Sequence, residues 1–101
     1  MNYRNFEDAF DLWTPESIEY NDENVQLKSF NPNKDVEFQL AHISFSSGNL
    51  YVWVDIDDLT EIKTYHSVLT FLNKKGTCWI ELYFEDEESM SSFLDVYANG
   101  L

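Results

Sequence analysis

Two short stretches restrict the fold of this chain more than anything else in it: YVWVDID at residues 51 to 57 and TCWIELYFE at residues 77 to 85. Both alternate with a period of two, the mark of a β-strand with one packed side and one side turned outward. In the first, Val52, Val54 and Ile56 oppose Tyr51, Trp53, Asp55 and Asp57. In the second, Cys78, Ile80, Leu82 and Phe84 oppose Trp79, Glu81, Tyr83 and Glu85. Antiparallel sheets that rest one face on a core produce this kind of sequence, so the chain must contain one.

The remaining segments fit around that sheet. Tyr3, Phe6, Phe10 and Trp13 recur at helical spacing, with Asn2 available as a cap. Thr14-Pro15 closes this helix, because a residue before proline is driven out of the α region. Pro15 also suits the first position of a further short helical turn. Val25 and Leu27 alternate with Gln26 and Lys28 as in an extended segment, and residues 31 to 35 (NPNKD) form a turn cluster. Over residues 36 to 46 the apolar phase slips near Ala41-His42, which predicts a β-bulge or a strand that changes sheets. Residues 46 to 49 (SSGN) predict a hairpin into the 50 to 56 strand.

Residues 59 to 73 carry both a helical stripe and many β-formers, and the β-formers favour a strand over 67 to 73. Residues 73 to 76 (NKKG) fit either a helix end or a hairpin turn. From Asp86 a helix follows, with the stripe Met90, Phe93, Leu94 and Tyr97 and a stop at Asn99-Gly100. The expected class is α+β. One domain spans 1–101: an antiparallel β-meander of about five or six strands, with an N-terminal helix and a C-terminal amphipathic helix packed on the sheet. The order of meander, glycine-containing hairpin and closing helix resembles the tail of pleckstrin-homology-type sandwiches.

Composition sets the function class. A 101-residue chain that is 44% hydrophobic can build a core of its own. Its 19 Asp and Glu against 6 Lys and Arg leave a formal charge of −13. Phosphate binding requires clustered cations, so direct nucleic-acid binding is not expected, nor is docking on an anionic membrane. A basic partner is attracted and steered instead. Cys78 has no partner for a disulfide, the N-terminus lacks signal-peptide character and no apolar run is long enough to span a bilayer. The expected location is cytoplasmic.

The sides of the two strands that oppose their aliphatic residues carry a further expectation. If both strands lie in one sheet, Tyr51, Trp53, Asp55 and Asp57 join Trp79, Glu81, Tyr83 and Glu85, with Asp58 beside them. Tyr and Trp anchor interfaces, and carboxylates around them pair with Lys and Arg on a partner. With side chains about 6.7 Å apart along a strand and strands about 4.8 Å apart, the charge density approaches that of a nucleic-acid backbone. A rival expectation is that the stripe of Tyr3, Phe6, Phe10 and Trp13 covers these rings from within the chain.

Catalytic and metal chemistry find little support. Counting from Asp55, a calcium loop would need Gly at the sixth place and Glu at the twelfth; the chain has Thr60 and His66. His42, His66 and Cys78 do not stand at zinc-ligand spacing, and Cys78 lies on an aliphatic strand face. No phosphate loop or nucleophile elbow is present. No catalytic residue, cofactor or metal is therefore expected, and the chain is not read as an enzyme. Its small, acidic profile resembles bacterial immunity proteins against toxin nucleases and phage inhibitors that mimic nucleic acid. That resemblance implies an acidic stoichiometric inhibitor of a basic enzyme, a nuclease or another nucleic-acid-binding enzyme. A non-catalytic adaptor or assembly subunit of sandwich type is the alternative.

Overall fold

A computed structural model describes residues 2–39 and 42–101, Asn2 through its backbone alone. The elements are α1 (Asn2–Leu12), β1 (Ser17–Asn21), β2 (Lys28–Phe30), β3 (Val36–Gln39), β4 (His42–Ser47), β5 (Leu50–Asp55), a 3-10 turn (Ile56–Asp58), β6 (Glu61–Tyr65), β7 (Val68–Leu72), β8 (Trp79–Tyr83) and α2 (Glu87–Asn99). The class is α+β, with a helix at each end of the chain. The strands form two antiparallel sheets, one ordered β2-β1-β8-β7-β6 and the other β3-β4-β5.

The two sheets share one core. Ile18, Tyr20, Phe30, Leu69, Phe71, Ile80 and Leu82 from the five-stranded sheet are buried with Ile43, Phe45 and Val54 from the three-stranded one. Phe45 meets Tyr20 and Phe30 across the gap, at ring-centre distances of 5.8 and 5.2 Å. The helical stripe of α1 enters this core: Phe6 touches Phe38 on β3 at 6.2 Å, Phe71 on β7 at 5.2 Å and Phe93 on α2 at 5.4 Å. The first helix thus packs between the inner sides of the two sheets and against α2.

Hydrogen bonding fixes the ends of the helices. Trp13 N–H still donates to the Ala9 carbonyl, and the Thr14 hydroxyl donates to the Phe10 carbonyl at 2.8 Å. Instead of a second helical turn after Pro15, the chain extends: Glu16 N–H donates to the Tyr83 carbonyl and β1 begins beside β8. Asp86 caps α2, its side chain accepting from Ser89 N–H at 2.8 Å, and Gly100 ends it at φ 79°.

Two local expectations change, and one ambiguity resolves towards the favoured strand over 67 to 73. The extended reading of 25 to 28 gives way to a loop, because the Asp22 carboxylate accepts from the backbone N–H groups of Asn24 and Val25 and curls the chain; β2 starts only at Lys28. The phase slip at Ala41-His42 falls partly outside the described residues. On either side of it, β3 and β4 are antiparallel partners with Gln39 opposite His42, so the two phases belong to two strands of a hairpin. The ambiguous 59 to 73 segment is a hairpin of β6 and β7, with Tyr65 opposite Val68.

Candidate functional site

In β5 and β8 the aliphatic residues point to the shared core, so the opposing residues point away from it. The expectation that both mixed faces form one patch is therefore corrected. β5 belongs to the three-stranded sheet and β8 to the five-stranded one, and the outer faces of two packed sheets diverge. Tyr51, Trp53 and Asp55 lie on one outer face; Trp79, Glu81 and Tyr83 lie on the other. The rival expectation is corrected too. The contacts of the α1 rings are with interior residues, and Tyr51 and Trp53 remain 57% and 59% exposed.

Strand register completes the outer face of the three-stranded sheet. One row across it holds Trp53, Ser44 and Glu37; the next holds Asp55, His42 and Gln39. The small Ser44 is buried at the centre, its hydroxyl 3.5 Å from the Glu37 carbonyl. The His42 ring lies 4.8 Å from the Trp53 ring at 50°, giving the indole a neighbour on one side. Asp55 accepts from Asp57 N–H at 2.9 Å through Oδ1, and Gln39 donates to Glu37 Oε2 at 3.0 Å. The other oxygen of each carboxylate has no hydrogen-bond partner among the described residues. Asp57 and Asp58 continue into the 3-10 turn and separate: Asp57 acts on Tyr97 of α2, Asp58 on Cys78.

The outer face of the five-stranded sheet is built differently. Its rows read Ser17, Tyr83, Val68, Tyr65; then Glu19, Glu81, Thr70, Lys63; then Asn21, Trp79, Leu72, Glu61. Trp79, Tyr83, Val68 and Leu72 are half-buried. The Tyr83 hydroxyl donates to Glu19 Oε1 at 2.7 Å, and Ser29 donates to Glu19 Oε2 at 3.4 Å. Burial, that hydrogen bond and the charges of Glu81 and Glu19 all push the Tyr83 phenol well up. Here Glu19 and Glu81 are tied into the surface, while Glu61 is exposed and Lys63 shares the face. Glu85 follows the end of β8 and is exposed.

Among the described residues no Lys or Arg is paired with a carboxylate; the one contact of a carboxylate with a basic side chain is His66 Nδ1 to Glu87 Oε1 at 3.4 Å, with both side chains exposed. Burial raises the Cys78 thiol, whose sulfur lies 3.7 Å from the Tyr20 hydroxyl, so it stays protonated and is a poor nucleophile. An open depression of about 240 Å³ lies between Asp22, Glu23 and Asn24 on one side and Asn73, Thr77 and Cys78 on the other. Among the described residues no group of three His, Cys, Asp or Glu is placed to hold a metal ion, and no helix is long and apolar enough to cross a membrane.

Sequence reading missed Glu37, His42 and Glu19 as members of these faces. Each arrives from a neighbouring strand, and only the register brings it there. In comparisons with known proteins, no family model matches the chain and no curated protein does. The fold is similar to a solved structure of inner membrane complex sub-compartment protein 3 from Toxoplasma gondii. The TM-score is 0.54 at 11% identity, over 96% of this chain and 82% of that one. At that identity the likeness speaks for the architecture alone.

Proposed function

We propose that this protein is an acidic stoichiometric inhibitor of a basic enzyme, acting in the cytoplasm as a toxin-neutralising immunity protein or a nucleic-acid-mimicking inhibitor of a nuclease. One observation carries the reading: Tyr51 and Trp53 stand exposed beside carboxylates, in a molecule whose acids have no Lys or Arg partner among the described residues. Exposed aromatics supply contact area with few rotors, and unpaired carboxylates supply steering towards Lys and Arg.

Capture from a lysate of the organism that supplies the sequence, followed by mass spectrometry, identifies the partner. Its catalytic activity is then titrated with this protein. The expected outcome is loss of activity at a one-to-one ratio. Asp55→Lys with Asp57→Lys lowers the association rate at least tenfold, whereas Glu81→Lys, on the other sheet, has a small effect. A captured partner that keeps full activity when saturated would overturn the inhibitor reading.

A second reading is favoured by the five-stranded sheet. Val68, Leu72, Trp79 and Tyr83 form a half-exposed apolar surface whose central carboxylates, Glu19 and Glu81, accept hydrogen bonds from Tyr83. An adaptor or assembly subunit would use such a face, and its binding would barely respond to salt.

A further inference from the structure

Trp53 differs from the other exposed rings in its surroundings. His42 occupies one side of the indole at 4.8 Å. Asp55 follows two residues along the same strand face, and Glu37 stands in the same row across the buried Ser44. Both carboxylates keep one oxygen without a hydrogen-bond partner among the described residues. The sheet rows around it, formed by residues 37, 39, 42, 44, 53 and 55, contain no Lys or Arg. The face thus offers an exposed indole with His42 beside it and anionic acceptors at about 7 Å (Asp55) and about 10 Å (Glu37) from it by strand geometry.

We propose that this face binds arginine side chains in preference to lysine, with Trp53 as the stacking platform and Asp55 and Glu37 as acceptors. The inference rests on the basic-partner reading above and specifies its chemistry. A guanidinium is planar, weakly hydrated and carries five donors in a fork. It can lie flat on an indole while its edge reaches carboxylates, which a compact, strongly hydrated ammonium does less well. The tied carboxylates of the opposite sheet lack that combination, because the Tyr83 and Ser29 hydroxyls already engage Glu19.

The probes are nona-arginine and nona-lysine, equal in charge, titrated at low salt into the full chain and into Trp53→Ala, Glu37→Gln and Trp79→Ala. Circular dichroism verifies folding of each variant. Nona-arginine is expected to bind about fivefold tighter than nona-lysine, the size of an exposed cation–π contact. Trp53→Ala is expected to erase that preference while leaving charge-driven affinity for nona-lysine; Glu37→Gln reduces it, and Trp79→Ala leaves it intact. Equal affinity of the parent protein for the two peptides would overturn the arginine platform and leave the basic-partner reading standing. A preference that survives Trp53→Ala would overturn this location. Failure of both peptides to bind would overturn both readings.

Discussion

Phe6 is fully buried and packs against Phe10, Phe38, Phe71, Phe93 and Tyr97, whereas Trp53 lies open to solvent on the outer sheet face. Truncating the first removes a ring from the meeting point of both helices and both sheets and leaves a cavity there. Phe6→Ala should cost about 3 to 5 kcal/mol in urea denaturation, and Trp53→Ala about 0.5 kcal/mol or less. Tyr83 gives a pH prediction. Its phenol is raised by burial and by the Glu19 hydrogen bond, so the stability it contributes is complete below the ordinary phenol value near 10. That contribution is lost as pH climbs above this value. The unfolding midpoint should therefore fall above about pH 10, and less steeply in Tyr83→Phe. At this scale the sequence was readable where a residue's fate depends on its own strand, as with Ile80; whether the first helix covered Trp53 it left open. It was silent on Glu19, Glu37 and His42, whose neighbours are set by register.

The elements that the sequence revealed are those with long, uninterrupted periods: α1, α2, β5 and β8. The ones it blurred have weak punctuation. β6 and β7 turn through His66-Ser67, with His66 at φ 53°, a left-handed conformation reached without glycine or asparagine; the helical stripe through Leu59, Ile62 and Tyr65 competed with this hairpin. β1 is only five residues long and follows a proline that also suits a helix start. The β4–β5 hairpin, by contrast, carries Gly48 at φ 61° in its two-residue turn, where a Cβ meets nothing but backbone strain. Gly48→Ala should cost about 1 kcal/mol in chemical denaturation while leaving the far hairpin's amide exchange unchanged.

Across the whole molecule the dominant fact is a charge of −13 with no Lys or Arg paired to a carboxylate among the described residues. Repulsion among exposed acids opposes folding and attraction to a cationic partner favours binding, and salt screens both. Raising sodium chloride from about 10 mM to about 0.5 M should therefore lift the urea midpoint of the free protein and lower its association rate with a basic partner. A midpoint that falls with salt would show that the charge is balanced locally. The α+β class and the two terminal helices follow from periodicity and caps; how the strands divide between two sheets does not, since alternation says which side faces inward but not which strands are neighbours.

That division into two sheets has a mechanical result. With the core standing between them like a wall, Trp53 and Trp79 look out onto separate rooms. A guest held on one face would leave the other uncovered, so the two could be occupied together in either order.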